Sequence, residues 1–249
     1  MLDKARIGHS FGLAAPAYDA HATMQRQAAQ RLADLTVVRW PQLSRIFEIG
    51  CGTGNLTAHL AQAYPQADIC ATDLTPQMLQ ACQQRLGSRV GYAVVDGESA
   101  SCQGFDLVAS SLAFQWFEDP VRTLRKLWRQ GPRLAVATLL EGTFAEWKAA
   151  HAQLGLDDGV LTFVTEARWQ DLCQHMDAPC TVETIQEFYP DAMTFVRAVK
   201  AIGAGTPRVG HRPAPLGKVL RQFPHGITVT YKVAYLLADP EPARPICPP

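Results

Sequence analysis

The sequence predicts an α/β fold, a doubly wound and mostly parallel seven-stranded sheet with a helical lid inserted between the last two strands. Three observations carry that expectation. Over the first ~140 residues, short apolar runs suited to strands alternate with segments of helical spacing. A glycine-rich turn, FEIGCGTG (47–54), stands between the first strand and a helix. After Leu140 the alternation gives way to helices and two late strands, the last one long and rich in β-branched and aromatic residues.

The elements follow in order. HATMQRQAAQRLADL (21–35) repeats apolar residues at helical spacing, RIFEIG (45–50) is a buried strand, and LTAHLAQAY (56–64) is helical. ADICATDL (67–74) reads as a strand and PQMLQACQQRL (76–86) as a helix, with Thr75-Pro76 fitting an N-cap and a first-turn proline. RVGYAVVD (89–96) and FDLVASS (105–111) are strands, PVRTLRKLWRQ (120–130) a helix and RLAVATLL (133–140) a strand. Strands joined by helical crossovers imply a parallel sheet covered on both faces. Beyond it, FAEWKAAHAQL (144–154) and EARWQDLCQHM (166–176) are helical and TVETIQEFYP (181–190) alternates like a strand. DAMTFVRAVKAIGA (191–204) is an amphipathic helix, and ITVTYKVAYLLA (227–238) closes the series.

Five parts are expected: covering helices in 1–40, a ligand-binding core in 41–189, a helical lid in 190–225, a last strand in 226–238 and a tail in 239–249. The tail's prolines and lack of periodicity read as disorder.

Bulk properties exclude several classes. The 23 basic and 23 acidic side chains cancel, which argues against a nucleic-acid platform. The N-terminus carries charges and no apolar signal region, and no apolar run approaches the length of a membrane span. Seven cysteines without a CxxC pair suit reduced thiols, so a soluble cytoplasmic protein is expected. Histidines at no ligand spacing predict no metal site.

The glycine turn carries the chemistry. It follows the first strand and opens a helix, and Asp73 ends the second strand, the arrangement in which a strand-tip acid takes the hydroxyls of a ribose. Glu48, two residues before Gly50, would repel a phosphate, and the spacing Gly50-x-Gly52-x-Gly54 is not the dinucleotide pattern. The site is therefore shaped for an adenosyl ligand bearing a cation. Cys51 reads as a small residue in a tight turn, because no His or Lys lies nearby in sequence to activate its thiol.

FEIGCGTG, ATDLTPQML and VVDGES resemble the glycine-rich, ribose-side and adenine-side motifs of the class I S-adenosylmethionine (SAM)-dependent methyltransferases, whose sheet is Rossmann-like. That resemblance implies that Glu48, Gly50, Gly52 and Gly54 line the methionine part of SAM, with Cys51 also at the cofactor, and that Asp73 chelates its ribose. Leu74 and Met78 would flank the adenine, while Asp96 accepts from its amine beside Gly97 and Ser111. Asp96 by itself also reads as an ordinary turn acid.

FGLAAPAYDAHATMQRQAAQRLADL, SSLAFQWFEDP, ATLLEGTFAEW and VRAVKAIGAGT further resemble the malonyl-[acyl-carrier protein] O-methyltransferases of biotin synthesis, in order along the chain through Ala238. Ser111 stands where that family usually carries asparagine. The resemblance implies transfer from SAM to the carboxylate of a malonyl group on acyl-carrier protein, or on malonyl-CoA. Such a nucleophile is ionised at neutral pH and needs no general base. Tyr18 and His21 would cover and position; they also read as a half-buried aromatic and a helix-start histidine. Gln115 and Trp116 could line the acceptor pocket, or Trp116 could pack with Phe114 and Phe117 in the core. Lys200, Arg208, His211 and Arg212, on the expected lid, would meet the acceptor, whereas Arg122, Arg125, Lys126 and Arg129 read as a solvated helix face. Two other functions share the cofactor motifs: a methyltransferase for another small acid or a quinone ring, and a non-enzymatic SAM-binding module.

Overall fold

A computed structural model describes residues 3–241. The chain opens with three helices, α1 (Lys4–Ala14), the single turn α2 (Tyr18–His21) and α3 (Thr23–Arg39). The alternating part runs β1 (Arg45–Ile49), α4 (Asn55–Ala63), β2 (Asp68–Asp73), α5 (Pro76–Leu86), β3 (Gly91–Val94), β4 (Leu107–Ser111), α6 (Pro120–Trp128) and β5 (Arg133–Leu139). Then come α7 (Ala145–Gln153), α8 (Glu166–His175), β6 (Cys180–Tyr189), α9 (Ala192–Ala201), α10 (Leu216–Leu220) and β7 (Ile227–Ala238).

The seven strands form one sheet in the order β3-β2-β1-β4-β5-β7-β6. β1 to β5 pair in parallel, and β7 runs antiparallel to both β5 and β6. The mostly parallel doubly wound sheet expected from the sequence is therefore present. Because side chains alternate across a strand, each inner strand feeds two core layers. Ile46, Leu107, Ala135 and Ala137 point into the layer with α3, α4 and α5, while Phe47, Val108, Leu134 and Val136 point into the layer with α6 and α8. Both layers are closed, which is why β1 and β4 read as apolar runs and not as alternating ones. Truncating a residue such as the fully buried Leu124 to alanine costs about 2–5 kcal/mol.

Helix starts are fixed locally. Asp119 accepts from the Arg122 N–H (3.0 Å) ahead of Pro120, and Asp191 accepts from the Thr194 N–H (2.7 Å). Thr75 occupies the expected cap position of α5, but its side chain makes no capping bond. α1 lies in the stretch 1–40 for which covering helices are expected, and Ile7, Phe11 and Ala14 share one of its faces. Two helices, α9 and α10, connect β6 to β7. Asp239, assigned to the tail from sequence, is tied down: its carboxylate takes Arg39 (2.5 Å) and Trp40 Nε1 (2.8 Å), and its carbonyl takes Trp128 Nε1 (2.6 Å). The rest of that expected tail from 242 lies outside the described residues.

Candidate functional site

The order of strands reverses between β1 and β4, and in such sheets the crevice at the carboxyl ends of those strands receives ligands. The glycine turn fills that place. Gly52 takes φ +54°, and a Cβ built there meets no protein atom within 4 Å, so a side chain would project into the crevice. Gly54 has the same handedness, φ +89°, but serves packing: a Cβ there would come 2.8 Å from Cys82 Sγ, so glycine lets α4 close on α5. Gly54 is not among the residues that line the cavity.

Asp73, at the tip of β2, is held by backbone amides. Gly52 N–H donates to its Oδ2 (3.0 Å) and Thr75 N–H to its Oδ1 (2.8 Å). Burial pushes its carboxyl up, and these donors oppose the shift. Glu48, on β1, is 1% exposed, and its Oε2 has no hydrogen-bond partner. Desolvation, offset by the Thr57 hydroxyl and reinforced by the acids Cys82 and Asp73, pushes Glu48 up to about 8. An unpartnered buried carboxyl facing a cavity is satisfied by a cation, which matches the charge inferred from the sequence.

Glu48, Gly50, Cys51, Gly52 and Asp73 line a cavity of ≈130 Å³. Leu74, Met78, Asp96, Gly97 and Ser111 complete the wall named from sequence, and Ser111 Oγ is buried without a partner. Asp96 is engaged by a residue that sequence reasoning misses. Lys4 Nζ, from α1, lies 2.6 Å from Asp96 Oδ2 and 2.5 Å from Glu98 Oε2. Burial works against the Lys4 charge, but the two acids outweigh it and raise its pKa. Ile7, Gly8 and Phe11 of α1 line the same cavity, so this helix closes it from above the turn.

A second cavity, ≈430 Å³, adjoins the first and shares Phe11, Tyr18, Gln25, Leu112 and Trp116 with it. Its wall is aromatic. Phe144 meets Phe195 and Tyr231 edge-on, with centroids 5.4 and 5.3 Å apart, and Trp147 meets Phe195 at 5.5 Å. Leu112 (φ +57°) and Phe144 (φ +60°) hold left-handed conformations that non-glycine residues rarely keep, and both face this cavity. Gln115 braces the first of them: its Nε2 donates to Leu112 O (2.6 Å), and Thr138 Oγ1 donates to its Oε1 (3.3 Å).

Tyr18 stands in the wall between the cavities. Desolvation, with the charges of Asp73 and Asp19, pushes its phenol up, so it remains a neutral donor. His21, on the end of the one-turn α2, is exposed and lines neither cavity. Trp116 lies edge-on to Phe11 (5.2 Å) in both walls, while Phe114 belongs to the core, so both readings of that aromatic segment hold for different residues.

Of the four cations expected at the acceptor, Lys200 and His211 line the second cavity. Arg208 and Arg212 do not. Arg208 pairs with Asp157 Oδ1 (2.6 Å), the Arg212 N–H reaches Asp157 Oδ2 (3.4 Å), and His211 Nδ1 stands 3.1 Å from the same oxygen. The Gly159 N–H first, then His211, Arg212 and Arg208, hold the Asp157 carboxyl down at about 2. The series Arg122, Arg125, Lys126 and Arg129 lines, with Arg168, a shallow groove elsewhere on the surface. Among the described residues no group of three His, Cys, Asp or Glu is placed to hold a metal, and no helix is long and apolar enough to cross a membrane.

Fold and site together define a methyltransferase. A family model described as a methyltransferase domain matches residues 47–130. The malonyl-[acyl-carrier protein] O-methyltransferase of Magnetococcus marinus is 35% identical over 92% of this chain and 90% of its own length. The chain belongs to that family. The biotin biosynthesis bifunctional protein BioCD of Bordetella avium is 40% identical over 92% of this chain, which spans 51% of that relative's length. The crystal structure of the plantazolicin methyltransferase BpumL, solved with a triazolic desmethylPZN analogue and SAH, aligns over 95% of this chain and 96% of its own. Its TM-score of 0.55 at 17% identity is a likeness of fold.

Proposed function

We propose that the chain methylates the free carboxylate of a malonyl thioester on acyl-carrier protein, in the cytoplasm, giving the methyl ester that starts pimeloyl assembly for biotin. The observation that carries this reading is the junction of the two cavities. A small compartment with a cation-seeking carboxyl opens, past Tyr18, into a larger aromatic one.

SAM, when bound, supplies an electrophilic methyl group on a sulfonium. Glu48 would hold the ammonium of its methionine part, Gly52 leaves room at the turn, and Asp73 takes the ribose hydroxyls. Leu74 and Met78 would pack on the adenine, with Asp96 and the neighbouring Gly97 and Ser111 at its edge. The acceptor carboxylate, of pKa ~4, is already an anion, so no residue has to remove a proton. Tyr18, kept protonated, donates a hydrogen bond at the junction and orients that anion. The aromatic wall excludes water, which strengthens attraction between anion and sulfonium. Lys200 and His211 face the arriving thioester. The segment 190–225 acts as the lid over this entrance.

The test is methyl transfer from labelled SAM to malonyl-[acyl-carrier protein], malonyl-CoA and free dicarboxylic acids, together with growth of a biotin-requiring strain that lacks its own enzyme. Transfer to the malonyl thioesters and restored growth are expected. Turnover only on a free acid or a quinone, or SAM binding with no turnover, would overturn the reading.

A further inference from the structure

The glycine turn carries one hydroxyl, that of Thr53, a residue 3% exposed. Its Oγ1 donates to Asp19 Oδ1 at 2.6 Å. The other carboxylate oxygen of Asp19 pairs with Arg85 of α5. Arg85 also donates from Nη1 to Asn55 Oδ1 (2.8 Å), at the start of α4. Asp19 stands next to Tyr18 in α2. One carboxylate therefore joins the segment that carries the junction phenol to the cofactor's cradle and to the helices behind it.

α2 needs such a tie. It is four residues long, none of them is fully buried, and no side chain caps its start. A lone helical turn fixes several dihedrals for one hydrogen bond and does not stand by itself. Polar contacts must hold it, and they converge on Asp19, whose carbonyl also takes Arg26 of α3. The pair with Arg85 is partly exposed, 43% at Asp19, and alone holds little. A hydroxyl donating to a carboxylate is the stronger bond, and it leads straight to the glycine turn.

We infer that Asp19 is a positioning residue for methyl transfer, placing Tyr18 at the junction by fastening α2 to the glycine turn; this rests on the reading of Tyr18 as donor to the acceptor carboxylate. Asp19 lines neither cavity, so it acts through its neighbour and not on the reactants. The tie begins at the turn that must accommodate SAM. Tyr18 is thereby set relative to the bound methyl group, and not only relative to the sheet. A displacement of about 1 Å at such a group can cost up to about 100-fold in rate.

The experiment is a double-mutant cycle on the full chain. It measures methyl transfer from labelled SAM to malonyl-CoA for Tyr18→Phe, Asp19→Ala and the two combined, with S-adenosylhomocysteine affinity by calorimetry on each. Asp19→Ala should lower kcat about fivefold while keeping that affinity within about threefold. In the Tyr18→Phe background it should cost nothing further, within about 1.5-fold. Asp19→Asn keeps an oxygen for the Thr53 hydroxyl but loses the charge, so a loss of about threefold is expected; it carries the same cycle should the alanine variant fold poorly. Equal losses with and without the phenol, an intact kcat in Asp19→Ala, or a loss confined to cofactor affinity would overturn the inference. A Tyr18→Phe protein with unchanged kcat removes instead the reading of Tyr18, and the inference falls with it.

Discussion

The two halves of the sheet solve opposite problems. Around β1, β2 and β4 the site is small, and neighbouring backbone fixes its frame: Asp73 is held by two amides and Cys51 N–H by Thr72 O (2.9 Å), while Glu48 Oε2 and Ser111 Oγ are left without partners. Beyond β5, where β7 runs antiparallel, the cavity is more than three times larger and walled by aromatic rings, and Arg208, next in sequence to its wall residue Pro207, is already paired. A compartment fixed by backbone selects one ligand by geometry. One built from side chains on α7, α9 and the β6–β7 connection selects by shape and dryness, and can be altered piecemeal.

Four changes would break or sharpen that contrast. The largest effect is expected at the turn. Asp73→Ala should weaken SAM binding by more than about 100-fold, since it removes charged hydrogen bonds and unties Gly52. Gly52→Val should do at least as much, because a β-branched side chain is strained at φ +54° and would occupy the ligand's space. A folded Asp73→Ala protein with unchanged affinity in calorimetry would remove the ribose assignment.

Next comes Glu48→Gln, with a loss on the order of 30-fold and a change in proton linkage. Glu48 has a folded-state pKa of about 8, raised above the usual carboxylate value. Its contribution to the stability of the cofactor-free protein is therefore fully present below about pH 4.5 and is lost as pH rises through 8. A bound cation ionises it, so SAM binding at pH 7 should release a proton. Heats of binding in buffers of different ionisation enthalpy detect it, and the release should vanish in Glu48→Gln.

Tyr18→Phe acts on the junction alone. A fall in kcat of about tenfold is expected, the worth of one hydrogen bond, with SAM affinity kept. The pH profile of kcat should remain flat between about 6 and 8; a steep rise accompanied by a solvent isotope effect would show that a proton is being removed after all.

The smallest effect is electrostatic. Carrier proteins of this class are expected to be acidic, and the exposed Lys218 and Arg221 lie on and just after α10, whose Leu216 lines the second cavity, whereas Arg208 is committed to Asp157. Reversing Lys218 and Arg221 to Glu should raise KM for malonyl-[acyl-carrier protein] about fivefold, leave malonyl-CoA unaffected and fade as salt rises. The same defect in an Arg122, Arg125 and Arg129 reversal would move the docking face to the groove on α6.

The same contrast governs what is legible in the sequence. The turn, Asp73 and the parallel strands can be read because their determinants are local: a glycine needed at positive φ, an apolar run, an acid at a strand tip. The packing role of Gly54 is not legible, because glycine for packing and glycine for ligand look alike until Cys82 is placed beside one of them. Lys4 escapes because its partner, Asp96, is 92 residues away. Arg208 looks free because Asp157, 51 residues before it, carries no local sign that it will reach back. His21 depends on which way one isolated helical turn faces. The aromatic wall is hidden for a further reason, since Phe144, Trp147, Phe195 and Tyr231 come from four separate stretches of chain, and each satisfies an ordinary core pattern on its own.

The position of β7 has a consequence for how the protein is made. It lies between β5 and β6, yet it is synthesised after both, so the sheet stays split until nearly all the chain has emerged. Until then β5, whose residues 134–139 are all buried in the finished fold, presents a bare apolar edge. A nascent chain paused before Ile227 is therefore an aggregation hazard. Elongation rate and chaperone cover over the helical connection should govern yield more strongly than any single surface contact in the finished molecule.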